Sequence, residues 1–543
     1  MLIPTLVPYT LHFISTPKMY IWRDRWLSLP ISPSSLPDKH KNKTWCILNE
    51  KQVHLATCSR IRGANECNKR YYDQDSFVCV CDTNGCDEIE PIGDIDDDQV
   101  VVYTTSSASD RLKKTTTMFN AKLDRDIRAT VDTKKQMQRI LGFGGAITDS
   151  VVIVRNQLMA ANASMAELLH QQYYGPTGIN YAIGRVPLAS CDFSTHEYSF
   201  AETPDDFAMK DFELNDIKAE YLKKIAKEVP EMKFYTSPWM KNTGRMKGPG
   251  KLIGPFNRVH YLAYARYIIK FFEEYQLKHG IKFWAMTVQN EPETGALDIY
   301  PFQTMYVSAQ MQRDFVNLRL GPMMKNNWIT KDIKILGCDD QRNVTLDYAL
   351  TIYNVNRDKA AVAGNFIDGL AVHWYVMQAP YSILSDVHFL RPEKMILATE
   401  ACNSFEMNDQ IPYYGRWKSG ELYCHDIIQN LRNWVVGWTD WNIHLDTIGG
   451  PNWVGNFVDA PILVNISETR RSNENEAKPP TYHTEFYKQT SYYAMAHFSK
   501  FIPPNSTIVN LDIDGFNEEN DNLEGVAALT PDNNERMMPF DRI

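Results

Sequence analysis

Eight short β-rich runs, each followed by a segment long enough and amphipathic enough for a helix, occupy the chain from about residue 139 to residue 442. The runs are RILGFGGAITD, INYAIGRVPLAS, MKFYTSPW, KFWAMTVQNEP, DIKILGCDD, IDGLAVHWY, MILATEA and VVGWTDWN. Between them lie AELLHQQYY, DIKAEYLKKIAKE, VHYLAYARYIIKFFEEY, SAQMQRDFVNLRL and DIIQNLRNW, whose apolar residues recur with the roughly 3.6-residue period of one buried helix face. A strand followed by a crossover helix returns parallel to itself. Eight such units predict an α/β fold, a closed (β/α)8 TIM barrel.

The runs end in polar or aromatic residues: Asp149, Asp192, Trp239, Glu291, Asp339, His373 with Tyr375, Glu400 and Trp441. The C-terminal strand ends of such a barrel build its reactive face, so catalytic chemistry is expected among these residues. Two of them are glutamates, Glu291 closing the fourth run and Glu400 the seventh. Hydrolysis of a glycosidic bond needs one carboxylic acid to protonate the departing oxygen and a second carboxylate across the anomeric carbon. A separation of about 5 to 5.5 Å gives retention of configuration. Glu291 is read as acid/base and Glu400 as nucleophile, with environments that push their pKa values apart. Asn290, just before Glu291, suits a hydrogen bond to a sugar 2-hydroxyl. His373 and Tyr375 stand on the strand beside Glu400 as supporting residues, Tyr375 within reach of its carboxylate. GFGGA lacks the G-x-G-x-x-G spacing of a dinucleotide loop and is read as a tight backbone turn at the first strand.

Other function classes fit less well. A net charge of −9 over 543 residues, with no basic stripe, lacks the footprint of nucleic-acid binding. No H-x-x-x-H or H-E-x-x-H spacing occurs, so neither a metal nor any other cofactor is expected. Cys67, Cys79, Cys81 and Cys86 crowd together with no His and no C-x-x-C pair among them, which reads as a disulfide staple made in an oxidising, secretory compartment. Sequons at Asn42, Asn162, Asn343, Asn465 and Asn505 are compatible with that route. Residues 2 to 14 are apolar but hold Pro4 and Pro8 and no basic segment, a poor secretory signal. No apolar run reaches the roughly 18 residues of a membrane span.

The barrel is expected over 139–442 with 481–501. A small disulfide-containing β subdomain is assigned to 67–92 with 443–480, and a satellite β-sandwich, C-terminally truncated, to 93–138 with 502–543. Residues 1–66 are left without a fold.

The strings GFGGAITD, RVPLASCDFS, ETPDDF, VQNEPETG, YPFQ, DDQR, AVHWY, ATEAC, VVGWTDWN, GGPNWVGNFVDAPI and FYKQTSYYAMAHFSKFIP resemble those of glycoside hydrolase family 30, in particular its lysosomal members that cleave glucosylceramide. The resemblance spans residues 66 to 530. It implies retaining hydrolysis of the β-glucosidic bond, with the acid/base falling on Glu291 and the nucleophile on Glu400. Glucose contacts would fall on Asp149, Trp239, Asn290, Trp441 and Asn456. It further implies a lysosomal, membrane-associated setting, a saposin-type activator and anionic phospholipid, and disulfides Cys67–Cys79 and Cys81–Cys86. In this chain SPW runs directly into MKNTG, a shorter connection than the family has after its third strand. A related β-glycosidase acting on another glucoside, or an inert truncated paralogue, remain the alternative readings.

Overall fold

The computed structural model describes residues 66–541 except 97–98, 119–127, 240–258, 298–299, 354–365, 407–410, 470–480, 515–522 and 533, together with the strands Thr10–Thr16 and Leu27–Ser28. Sequon Asn42 and the segment following Trp239 lie outside the described residues.

The eight runs form eight parallel strands that close on themselves. They are β1 Gly142–Ala146, β2 Ile183–Leu188, β3 Lys233–Pro238, β4 Phe283–Thr287, β5 Lys334–Gln341, β6 Gly369–His373, β7 Met395–Glu400 and β8 Val435–Asn442. β8 pairs with β1 through Gly437↔Gly142 and Trp438↔Phe143, which completes the ring. Helices such as α1 Asp149–Ala161 (after β1) and α2 Val259–His279 (before β4) pack outside it, the latter burying Tyr264, Ile268, Phe271, Phe272 and Tyr275.

Side chains alternate between the two faces of a strand, so each barrel strand sends one set outward to the helices and one inward. Ile183, Tyr235, Ala285, Leu336, Ala371 and Leu397, one from each of six strands, meet as a separate buried apolar cluster inside the ring. β1 has almost no side chain to offer there, and that is its role. A Cβ on Gly144 would stand 1.7 Å from the Ile183 carbonyl oxygen. The GFGGA segment is therefore a strand in close backbone approach to β2, not the tight turn read from its composition.

Two further sheets flank the barrel. The satellite sheet has eight antiparallel strands drawn from distant parts of the chain; its Arg128–Arg139 pairs with Thr507–Asp514. The residues left unassigned contribute to it, since Thr10–Thr16 lies between Gln99–Ser106 and Glu535–Asp541. The five-stranded small sheet carries the disulfides Cys67–Cys79 and Cys81–Cys86. Thr481–Lys488, assigned to the barrel from sequence, pairs instead in this small sheet with Ile462–Thr469 and Phe77–Cys81. Its run TYHTEFYK sits between two partners that both need antiparallel hydrogen bonds. The helix that follows, Thr490–Ser499, does return to the barrel, where Phe498 meets Phe143 of β1.

The apolar plug is the barrel's innermost packing. Truncating it leaves a cavity that closed strands cannot collapse to fill. Leu397→Ala should cost about 2–5 kcal/mol, read as a lowered urea midpoint with the far-ultraviolet circular dichroism of the folded state unchanged.

Candidate active site

Two residues further along the same strands, the inward positions change from apolar to polar. Arg185 follows Ile183, Ser237 follows Tyr235, Thr287 follows Ala285, His373 follows Ala371 and Thr399 follows Leu397. All five are buried. On β5 the register slips between Cys338 and Asp340, with Cys338 and Asp339 at φ +66° and +62°. This bulge brings the Asp339 carboxylate into the same layer, where Thr287 Oγ1 (2.6 Å), Thr399 Oγ1 (2.8 Å), Arg185 Nη2 (3.0 Å) and His373 Nε2 (3.1 Å) all donate to it.

Arg185 and His373 connect that hub to the two glutamates. Arg185 Nη1 donates to Glu400 Oε2, its Nη2 also to Asn290 Oδ1 at 2.8 Å, and its Nε to Ser237 at 3.1 Å. Tyr375 donates to the other Glu400 oxygen at 2.8 Å. His373 Nδ1 faces Glu291 Oε1 at 3.0 Å; Gln341 Nε2 donates to the same oxygen at 2.9 Å and Tyr300 OH to Oε2 at 3.3 Å. Glu291 itself has φ +40° and opens the 3-10 turn Pro292–Ala296, with its backbone N–H on the Asp339 carbonyl at 2.9 Å. The ring constrains the two carboxyl groups from both sides: one oxygen of Glu291, one of Glu400 and one ring nitrogen of His373 all lie within 4.8 Å of one another.

Beside Arg185, Trp239 and Trp441 stack with centroids 5.2 Å apart and planes 20° off parallel, the guanidinium 4.8 and 5.3 Å from the two rings. Asn290 gives its amide oxygen to Arg185, which leaves its NH2 to donate. Asn456 Nδ2 donates to Asp192 at 2.9 Å, and Trp453 of the same loop donates its indole N–H to the Cys191 carbonyl at 3.0 Å. The carboxylate of Asp149, expected in contact with glucose, is held by Lys218 Nζ (2.6 Å), Ser194 (2.7 Å) and Tyr198 (2.9 Å). Asp192, at the end of the second run, is the acidic group that joins Asn456 beside the glutamates.

Residues 140–502 match the Glycosyl hydrolase family 30 TIM-barrel domain. The chain belongs to this family. As a family 30 member it is a glycoside hydrolase. It is 41% identical over 467 residues to the Caenorhabditis elegans protein named putative glucosylceramidase 3, covering 83% of this chain and 84% of that one. To mouse lysosomal acid glucosylceramidase it is 35% identical over 483 residues, 87% of this chain and 88% of the mouse protein. The crystal structure of SrfJ from Salmonella typhimurium shares the fold, with a TM-score of 0.65 at 22% identity over 80% of this chain and 97% of that one.

The family 30 site has the electrostatics of a proton-holding cluster. Burial pushes the His373 imidazole down, but Glu400, Asp339 and Glu291 overcome it and raise its pKa to about 10. Burial also pushes Asp339 up, and Arg185 with His373 more than reverses this, holding it well below the usual carboxylate range. Burial raises the Glu400 carboxyl despite the opposing charges of Arg185 and His373, with Glu291 adding to the rise. Asp192 is pushed up to about 7, first by burial and then by the nearby glutamates, against the Asn456 hydrogen bond. With His373 protonated, both of its ring nitrogens donate to carboxylates, to Glu291 and to Asp339. A second cluster, Glu167, His170 and Glu228, has Lys224 as its cation, 3.1 Å from Glu167.

Sequence reasoning missed Arg185, although a lone charge inside the apolar run YAIGRVPL was a signal for it. It named Asp339 only as a strand end, and passed over Gln341 and Tyr300. Because His373 holds its proton more tightly folded than unfolded, its contribution to stability is complete below about pH 6.5 and fades as pH rises to about 10. His373→Gln should flatten that alkaline decline, measured as urea midpoints across this range for both proteins.

Proposed function

We propose that this chain is a retaining β-glucosidase that hydrolyses glucosylceramide to glucose and ceramide. The observation that carries the reading is the approach of the two strand-end carboxyl groups, with an oxygen of each within 4.8 Å. Retaining glycosidases place their carboxyl groups about 5–5.5 Å apart, whereas inverting ones leave room for a water at about 6.5–9.5 Å.

Glu400 is the nucleophile. Arg185 and Tyr375 each bond one of its oxygens, which fixes its orientation and favours its charged form against the burial that pushes its pKa up. It attacks the anomeric carbon while Glu291 passes a proton to the departing ceramide oxygen, and a glucosyl ester on Glu400 results. Glu291 then takes a proton from water, the water oxygen bonds to the anomeric carbon, and the ester breaks to release glucose. Asn290, through its free NH2, suits the sugar 2-hydroxyl, where a hydrogen bond strengthens in the transition state. The Trp239–Trp441 pair offers flat apolar surface to the pyranose, and Asp192 with Asn456 offers acceptor and donor to its remaining hydroxyls. The choice of glucosylceramide is supported by the names of the worm and mouse relatives.

The same reading places the protein in the lysosome, reached by the secretory route that the two disulfides favour. Its substrate lies in a membrane; among the described residues no helix is long and apolar enough to cross one. A saposin-type activator and anionic phospholipid are the partners this implies, and liposomes with and without phosphatidylserine and a saposin would reveal their effect on turnover.

A cyclophellitol-type inhibitor, which esterifies the nucleophile of retaining β-glucosidases, should label Glu400 and no other residue by peptide mass spectrometry. Folded protein that stays unlabelled, or is labelled elsewhere, would overturn the assignment; hydrolysis of a soluble β-glucan but not of glucosylceramide would overturn the substrate. Glu291→Gln should lower kcat/KM on glucosylceramide by about 10²–10⁴-fold, and much less on an aryl glucoside whose leaving group needs no proton.

A further inference from the structure

Four of the five sequons fall on described residues, and the fold treats their side chains differently. Asn465 lies inside the strand Ile462–Thr469, opposite Glu485 of the neighbouring strand, and its Nδ2 donates to Tyr487 OH at 2.9 Å in a half-buried setting. Asn162 caps the helix Ala163–Tyr174: its Oδ1 accepts from Met165 N and Ser164 Oγ, and its Nδ2 faces Thr484 at 3.5 Å. Asn343 and Asn505 are exposed. Asn505 sits at φ +70° with its backbone N–H on the Ile140 carbonyl, next to the N-terminal end of β1 and so on the side of the barrel away from the glutamates. Asn343 lies in the 3-10 turn Arg342–Val344, immediately after β5 and two residues beyond Gln341, whose side chain bonds Glu291. It is on the reactive face.

We propose that Asn343 carries an N-linked glycan at the rim of the barrel mouth, and that Asn465 remains bare. In the transfer, Asn343 Nδ2 bonds to the anomeric carbon of an oligosaccharide carried on a lipid diphosphate. The bond from that carbon to the diphosphate oxygen breaks, the lipid diphosphate leaves, and Nδ2 loses one of its two protons. An exposed amide accommodates the product without disturbing the fold. At Asn465 a sugar on Nδ2 would replace the donor to Tyr487 OH and crowd Tyr487 and Glu485 on the same face of the sheet. Burial of Thr345, the third sequon residue, is no obstacle, because transfer acts on the chain before it folds; by the same timing a sugar on Asn465 would block the later strand packing, so the chains that reach the folded state are those in which Asn465 is bare.

This inference rests on the secretory-route reading above. The full chain, expressed in eukaryotic cells both as it stands and behind a supplied secretory leader, is treated with peptide-N-glycosidase in heavy-oxygen water, which marks each glycan-bearing Asn as labelled Asp. The expected result in both arms is labelled Asp at position 343, unlabelled Asn465, and loss of one glycan's mass in Asn343→Gln. An unlabelled Asn343 in folded protein whose Asn505 is labelled overturns the proposal alone, as does a labelled Asn465. Labelling only in the leader arm overturns the compartment reading, and with it the modification of the protein as it stands.

Discussion

The buried carboxylate of Asp339 organises the inner layer of this barrel. It accepts four hydrogen bonds, from two threonines, an arginine and a histidine on four different strands. An arginine and an imidazolium could not sit where solvent is excluded without a partner, since an unpaired buried charge costs several kcal/mol. Counting the ring as a whole, Asp339, Glu291 and Glu400 are three potential anions against two cations, Arg185 and His373. A single proton on the glutamate pair makes the layer neutral. The inventory that an acid and a nucleophile need, one carboxyl group protonated and one charged, is therefore also the inventory that burial favours.

The sheet supplies the second ingredient, which is spacing. Inward-facing positions recur every two residues, so the apolar plug and the polar ring lie in successive layers, and the glutamates stand where strands give way to turns. The small sheet contributes from outside. Its edge strand, His444–Asp446, leads into the loop that carries Asn452, Trp453 and Asn456, and that loop is pinned to the end of β2 through Asp192 and the Cys191 carbonyl. The disulfide-stapled part of the molecule thus supports one wall of the mouth.

Much of this was legible in the chain itself, because alternation and amphipathic period are local properties. The eight strands could be placed from their apolar runs, and Glu291 and Glu400 could be paired because both end such runs. What resisted reading depends on contacts far apart in sequence. Asp149 and Asp192 both follow strands and look equivalent; only the fold shows that Lys218, 69 positions beyond Asp149, pairs with the first and Asn456 with the second. The bulge at Cys338 and Asp339 leaves no pattern in DIKILGCDD. GFGGA signals missing side chains but not what comes close to them, which is the backbone of β2. Thr481–Lys488 has the composition of a strand, and nothing in it names the sheet it joins.

The pairing of Arg128–Arg139 with Thr507–Asp514 has a consequence for how the protein is made. About 370 residues separate these partners, and at about 5–20 residues per second of synthesis the earlier strand waits on the order of 20–70 s for the later one. Every barrel strand leaves the ribosome within that interval. The nascent barrel can close before the satellite sheet is complete, while a twelve-residue strand still offers unpaired backbone to whatever it meets. Until its partner emerges that edge is open to wrong pairing, so the satellite sheet, away from the chemistry, is where the order of synthesis bears on assembly.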